Sequence, residues 1–360
     1  MRIIYILTSL GIGGAENQAI STAERMAAKG HKVMLIVLKH GIVEEWPVKL
    51  PVLRLNMAKS PQGILRGLRF ARNFIATFQP DLLHSHTYPA NMFLRMLRAS
   101  GVKGATLNTI HNVYEGGWHR MLLYRLSDHL ADRVTAISSP ARDRFIAMNA
   151  VKAAKTDLIT NGVDPSHFLP DKQRRIKTRA DMQAGNKFIW IAVGRLSPAK
   201  DYPTLLTAFA KVRESFPNSE LWIVGEGDST QLFPIAGVRF LGLRRDIVSL
   251  LDAADGFVSS SIWEGMPLAV AEAMSMKKMI VATSVGGVSE LLGDSGAIVD
   301  SQNPSALADA MLHSMQLNES VSIALGTRAR NRILEHFSIN AKAEEWESLY
   351  LKLVPNRSQL

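Results

Sequence analysis

The sequence predicts an α/β protein made of two doubly wound domains, and three observations carry the prediction. Short apolar runs with β-branched residues alternate with helical periodicity along nearly the whole chain. The alternation breaks at a polar, proline-bearing stretch, "NGVDPSHFLPDKQRRIKTRADMQAGN" (161–186), and then restarts. The chain of 360 residues is also too long for one ordinary core. Continuous apolar strands separated by helices belong to parallel sheets covered on both faces. Two such blocks joined by a linker near 165–187 give domains over 1–165 and 166–336.

In the first block the expected strands are "RIIYILT" (2–8), "KVMLIVL" (32–38), "VLRLN" (52–56), "LLHSH" (82–86), "ATLNTIH" (105–111) and "RVTAIS" (133–138). The opening run looks superficially like a signal peptide. Gly13-Gly14-Ala15-Glu16 and an amphipathic helical pattern follow at once, which fits a first strand and its loop. Residues 62–78 predict a helix with Ile64, Leu68, Ala71, Ile75 and Phe78 on one face, Arg66 and Arg69 opposite and Arg72 on the flank. In the second block the strands are "FIWIAVG" (188–194), "ELWIVGEG" (220–227), "VRFLGL" (238–243), "GFVSSS" (256–261) and "KMIVATS" (278–284). The tail, "FSINAKAEEWESLYLKL" (337–353), reads as a last amphipathic helix.

Composition narrows the function classes. Hydrophobic residues make up 47% and charged residues 21%, which excludes a disordered chain. There is no cysteine, so disulfides are excluded, and no apolar run reaches the length of a membrane span. The net charge of +10 is uneven: residues 1–165 hold 21 Lys+Arg against 11 Asp+Glu, whereas 166–360 hold 21 of each. The first half is therefore expected to face something anionic.

In doubly wound sheets ligands bind at the carboxyl ends of strands, so the strand-to-helix loops carry the search. "SSSIWEGMPLAVAEAM" (259–274) places Glu264 just before a Gly-Met-Pro turn and Glu272 about a turn and a half into the next helix. Pro267 suits the first helical turn, and the amides of Met266 and Leu268 would offer a sugar or phosphate oxygen a positive helix end. Dipole complementarity accounts for Glu264 but not for Glu272, which is flanked by Ala271, Ala273 and Met274. "GRLSPAKD" (194–201) sets Arg195 and Lys200 where both can converge on one diphosphate. "SLGIGGAE" (9–16) is not the dinucleotide fingerprint, because Glu16 stands where the last glycine belongs, yet Gly13-Gly14 permits close backbone approach. "VGGVSE" (285–290) is a further glycine turn with Glu290 beyond it. His84, His86 and His111 end two first-domain strands. His84 and His86 are expected on opposite faces of their strand, so no chelating pair and no metal is expected. With no D-x-D in the chain, Arg195 and Lys200 would neutralise a diphosphate in place of a divalent ion.

The ordered set "GGAE", "TIH", "NGVD", "GRLSPAK", "SSSIWEGMPLAVAEAM" and "VGGVSE" resembles the retaining glycosyltransferases of family 4, of the bacterial cell-surface polysaccharide type. The E-x7-E pair Glu264/Glu272 is the most specific mark. The resemblance implies the GT-B fold: two Rossmann-like domains facing across a cleft, the first binding the acceptor and the second the nucleotide sugar. It also implies a C-terminal helix crossing back, so that 337–360 packs on the first domain. By the family pattern Arg195 and Lys200 hold the diphosphate, Glu272 the ribose, and Glu264 the transferred sugar. Gly265, Met266, Pro267 and Leu268 offer backbone to sugar and phosphate, His111 lies near the sugar, and Gly13 and Gly14 lie near the diphosphate. The family usually has glycine after the lysine; here it is Asp201.

The implied activity is a retaining, metal-independent transfer of a hexose or N-acetylhexosamine from a nucleotide sugar, UDP more readily than GDP. No cofactor is expected. The expected acceptor is lipid-linked or a saccharide, in surface polysaccharide or lipopolysaccharide synthesis; the alternative is a small-molecule acceptor. The expected location is cytoplasmic, with peripheral attachment of the basic half, arginines 66, 69 and 72 included, to an anionic inner membrane face. A dinucleotide oxidoreductase lacks its fingerprint here, and a nucleic-acid-binding role leaves the acids at the strand ends of the neutral half without a purpose.

Overall fold

The computed structural model describes residues 1–11, 13–39, 48–228, 233 and 235–354. Ile12 of the first loop and 355–360 of the expected C-terminal segment lie outside the described residues. The chain forms two compact units, Met1–Gly162 with Ile339 onward, and Val163–Ser338. Their borders at 162/163 and 338/339 differ from the expected 165/166 and 336/337 by two or three residues.

The first unit runs β1 (Arg2–Leu7), α1 (Gly14–Ala28), β2 (Lys32–Val37), β3 (Val52–Arg54), α2 (Pro61–Phe78) and β4 (Leu82–His86). It continues with α3 (Tyr88–Ala99), β5 (Ala105–Ile110), α4 (Trp118–Leu126), β6 (Arg133–Ala136), α5 (Ser139–Ala147) and β7 (Thr156–Leu158). These strands make one parallel sheet in the order β3-β2-β1-β4-β5-β6-β7. Why β1 is apolar from Ile3 to Leu7, apart from the Tyr5 hydroxyl, is visible in its packing. Ile3, Tyr5 and Leu7 enter one core cluster while Ile4 and Ile6 enter another on the opposite face. Helix α2 starts where Ser60 accepts a hydrogen bond from the Gly63 amide at 3.1 Å with Pro61 behind it, and it buries Gly67, Ala71 and Ile75.

The second unit runs α6 (Lys172–Asp181), β8 (Phe188–Val193), α7 (Tyr202–Ser215), β9 (Ser219–Val224), β10 (Val238–Phe240), α8 (Ile247–Ala253) and β11 (Gly256–Ser259). Then come α9 (Leu268–Ser275), β12 (Met279–Thr283), α10 (Val288–Leu292), β13 (Ala297–Val299), α11 (Pro304–Gln316) and α12 (Glu319–His336). Its parallel sheet has the order β10-β9-β8-β11-β12-β13. Each unit is thus Rossmann-like. A final helix, α13 (Ile339–Leu353), belongs to the first unit and packs on α1. There Trp346, Leu349 and Tyr350 join the core beneath β1, and Lys29 pairs with Glu347 at 2.7 Å.

Two features depart from the sequence reading. The stretch read as linker holds α6, a packed helix capped by Asp171, which accepts from the Arg174 amide at 2.7 Å. Its arginines are anchored on the end of α8 and the start of β11: Arg174 pairs with Asp252, and Arg175 and Arg179 pair with Asp255. High polarity concealed this helix because its buried partners are charges rather than an apolar stripe. The strands β7 and β13 were not expected at all. Each spans three partly buried residues at a sheet edge, too few to display a period.

Candidate active site

Strand order reverses between β8 and β11 in the second sheet and between β1 and β4 in the first. Carboxyl ends at such reversals form the ligand crevice of a doubly wound sheet.

In the second unit the loops after β8 and β11 bring Lys200 and Glu264 together, and the loop after β12 supports them. Lys200 Nζ lies 2.5 Å from Glu264 Oε1, and the same oxygen accepts from Ser261 Oγ at 2.7 Å. Glu264 Oε2 therefore remains for a further donor. Two contacts tie the β8 and β11 loops: the Ile262 amide donates to Ala199 O at 2.8 Å, and Ser260 Oγ to Lys200 O at 2.7 Å. The "VGGVSE" turn supports the same loop. Gly286 has φ +54, and a Cβ there would lie 2.1 Å from the Glu264 carbonyl oxygen, so only glycine fits. Arg195 is exposed and has no hydrogen-bond or charge partner among the described residues. Its loop leans on the turn after β9, where Leu196 N donates to Glu226 O at 2.8 Å.

Glu272 differs from these. It lies in α9 with part of its surface accessible, and its carboxylate has no hydrogen bond or ion pair among the described residues. Burial alone pushes its pKa up to about 7. A half-buried carboxylate with no partner among the described residues is a candidate for binding a ligand. Gly265, Met266, Pro267 and Leu268 are buried at the start of α9, whose first turn leaves its amides without acceptors in the helix. Pro267 is the residue before the helix (φ −76, ψ 112), just short of the first turn expected of it.

Asp201, where the family usually has glycine, takes the left-handed conformation (φ 46, ψ 51) and caps α7 by accepting from the Thr204 amide at 3.4 Å. The backbone requirement that favours glycine is present, and a short polar side chain meets it.

In the first unit Gly13 precedes α1 in extended conformation, and Gly14 is the first residue of the helix. The chain's own Glu16 occupies this helix start, accepting from Ser9 Oγ at 3.3 Å. A depression beside it is lined by Leu7, Thr8, Ala15, Glu16, His86 and Thr87. Thr87 has φ +73, unusual for a β-branched residue, and its hydroxyl bonds that of Thr8 at 2.9 Å.

The expectation that His84 and His86 point to opposite faces is wrong. Residues two apart on a strand share a face, and these rings lie 4.1 Å apart. They are nonetheless committed elsewhere. His84 bonds the Tyr350 hydroxyl and the Thr109 hydroxyl, both at 2.7 Å, while His86 Nδ1 meets His111 Nε2 at 2.8 Å. Among the described residues no three His, Asp or Glu side chains are arranged to hold a metal ion. Burial pushes His84 and His86 well below the usual histidine range and His111 down to about 3. All three are neutral at pH 7. Of the facing nitrogens one must donate and one accept, so the outer atoms, His86 Nε2 and His111 Nδ1, always present one donor and one acceptor. Both are buried without a partner among the described residues. The reading of single residues missed Ser261, the depression at Thr87 and Glu115. Glu115 accepts from the His111 amide at 3.1 Å and from Tyr124 at 2.8 Å. None of these has a sequence signature, since each depends on neighbours brought in by the fold.

Comparison with known proteins agrees with this fold. Residues 12–167 match the family described as Glycosyltransferase Family 4, and residues 187–316 the family described as Glycosyl transferases group 1. The chain is 26% identical over 299 residues to the Escherichia coli UDP-Gal:alpha-D-GlcNAc-diphosphoundecaprenol alpha-1,3-galactosyltransferase, covering 77% of this chain and 76% of that one. It is 27% identical over 264 residues to a GDP-mannose-dependent mannosyltransferase of Mycobacterium tuberculosis, covering 67% and 66%. Among solved structures, Anabaena HepE in complex with UDP-glucose superposes with a TM-score of 0.84 at 21% identity, covering 98% and 100%. A Rickettsia africae glycosyltransferase gives 0.83 at 20%, covering 99% of each chain. With glycosyltransferase families matched in both units and two Rossmann-like parallel-sheet domains, the chain is a glycosyltransferase of the GT-B fold.

Proposed function

We propose that this glycosyltransferase moves a hexose or N-acetylhexosamine with retention of configuration, without a metal, from a nucleotide sugar held by its second unit. UDP is the favoured nucleotide. The acceptor is a lipid-linked or free saccharide, in cell-surface polysaccharide or lipopolysaccharide synthesis. The observation that carries the reading is the half-buried carboxylate of Glu272, without a partner among the described residues, on α9, the helix that opens just after Glu264, the partner of Lys200. That set suits a ribose diol, a diphosphate and a sugar in sequence. The Escherichia coli relative is named for a UDP-sugar and a diphosphoundecaprenol acceptor, which supports the donor and acceptor classes.

The residues divide the work by their chemistry. Glu272 accepts hydrogen bonds from the ribose hydroxyls. Arg195 and Lys200 neutralise the diphosphate as the bond from sugar C1 to its phosphate oxygen breaks, and the first-turn amides of α9 add partial positive charge. Glu264, oriented by Ser261 and Lys200, accepts from the transferred sugar through its other oxygen. The acceptor hydroxyl bonds C1 on the face the phosphate leaves, and its proton passes to the departing phosphate oxygen. By the family pattern His111, neutral at working pH, is assigned to the sugar, and Gly13 and Gly14 to the diphosphate. The enzyme works in the cytoplasm, at the inner membrane face.

The test is transfer from UDP- and GDP-sugars to a diphosphoprenyl-linked N-acetylglucosamine, with the anomeric coupling of the product read by NMR. Transfer with the donor's configuration supports the proposal. Inverted product, or no turnover of any nucleotide sugar, overturns it.

A further inference from the structure

We propose that α4 is a membrane-docking helix whose apolar face inserts into the headgroup and acyl boundary of an anionic bilayer. This rests on the reading of a lipid-linked acceptor and names the surface that would meet the lipid. The expected docking surface was the arginine face of α2, and Arg66, Arg69 and Arg72 are indeed exposed there. Helix α2 also exposes Leu65 and Phe70, but exposed apolar side chains are densest on α4. Trp118 is 75% exposed, Leu126 63%, Leu123 47% and Leu122 42%, four large apolar side chains in a nine-residue helix. Trp118, Leu122 and Leu126 recur every fourth residue and form one stripe. Met121 and Tyr124, on the far side, anchor the helix in the core.

The chemistry of the face selects its occupant. Residues 118–126, "WHRMLLYRL", contain no Asp or Glu. Arg125 borders the stripe and is exposed. The nearest acids are committed: Glu115 to His111 and Tyr124, and the buried Asp128 to Lys155. The first unit holds 24 Lys+Arg against 13 Asp+Glu, a net +11, whereas the second holds 18 against 19. A second copy would bring the same positive field to the contact, but an anionic lipid surface complements it. A tryptophan and three leucines beside an arginine suit the interface, where the ring and aliphatic chains enter and the cation meets phosphate.

The helix is also fastened to the site. One oxygen of Glu115 takes the His111 amide and the other the Tyr124 hydroxyl of α4, while Arg120 donates to Glu115 O at 2.6 Å. The loop from His111 to α4 is thereby one clasped segment, so docking brings His111 to the lipid surface.

The test is co-sedimentation of the full chain with phosphatidylglycerol/phosphatidylcholine vesicles and with phosphatidylcholine alone, across a salt series. We compare wild type, Trp118→Ser/Leu122→Ser/Leu126→Ser and Arg66→Gln/Arg69→Gln/Arg72→Gln. Calorimetric UDP binding is measured on each, which checks folding and tests the donor reading separately. The expected result is binding to anionic vesicles that weakens with salt and falls by about tenfold or more in the α4 variant with UDP binding intact. The arginine variant should bind less tightly at low salt only. Wild-type binding equal to that of the α4 variant, or no anionic-vesicle binding at low salt, overturns the proposal. So does a wild-type dimer that the α4 variant dissolves, which would assign the face to a second copy.

Discussion

Replacing Glu272 by Gln should make the unliganded protein more stable and the enzyme worse. Burial raises the Glu272 pKa from 4.5 to about 7 with no compensating contact. The folded state thus holds a proton that the unfolded chain releases from about pH 4.5 upward. Stability from this group is present below pH 4.5, is lost as pH rises toward 7, and is fully lost above it. At about 1.4 kcal/mol per pKa unit the ceiling is about 3 kcal/mol. Because part of the residue stays accessible, about 1–2 kcal/mol is expected at pH 8. Gln keeps the volume and removes the charge, so the variant should melt several degrees higher at pH 8 and within about 1 °C of wild type at pH 5. Glu115, also raised to about 7, contributes a slope in the same window, so the quantity read is the difference between variant and wild type. Differential scanning calorimetry at both pH values measures it. Titration with UDP should give binding about tenfold weaker, from loss of a charge-assisted acceptor. A variant less stable than wild type at pH 8, or with an unchanged pH slope, would refute the assignment of Glu272 to a ligand.

Lys200→Ala should cost on the order of 2–4 kcal/mol of transition-state stabilisation in kcat/KM with the melting temperature little changed. Wild-type activity should persist in excess EDTA, and a strict need for added magnesium or manganese in steady-state assays would reverse that part of the account. Asp201 is held in the left-handed region, so Asp201→Gly should be close to neutral. Asp201→Ala, losing the cap and keeping the strain, should lose about 1–3 kcal/mol in urea melts. Tyr350 bridges Tyr5 at 2.8 Å and His84 at 2.7 Å. Tyr350→Phe orphans both groups and should cost about 1–3 kcal/mol, read as a lower denaturation midpoint.

The fold was largely legible because a strand buried on both faces, such as "RIIYIL", has few other interpretations. Elements held by charge or by three edge residues were not: α6 carries its arginines toward Asp252 and Asp255, which lie 70 to 80 positions further along. Arg195, Lys200, Glu264 and Glu272 stood out in the sequence because charged side chains are unusual at strand ends, and the fold brings Lys200 and Glu264 into contact. Supporting contacts such as Ser261 with Glu264 or Glu115 with His111 were not. Serines and glutamates of that kind are common on surfaces, and only the folded loops reveal their partners. The two histidines of β4 illustrate the reverse error, in which the alternation of a strand was applied one residue out of step.

The central claim is that the carboxyl edge of the second sheet holds the nucleotide. A crystal structure with UDP measures it directly. The account predicts ribose oxygens within hydrogen-bond distance of Glu272 and the diphosphate on Lys200 and Arg195. A nucleotide bound elsewhere, or a ribose out of reach of Glu272, would contradict it.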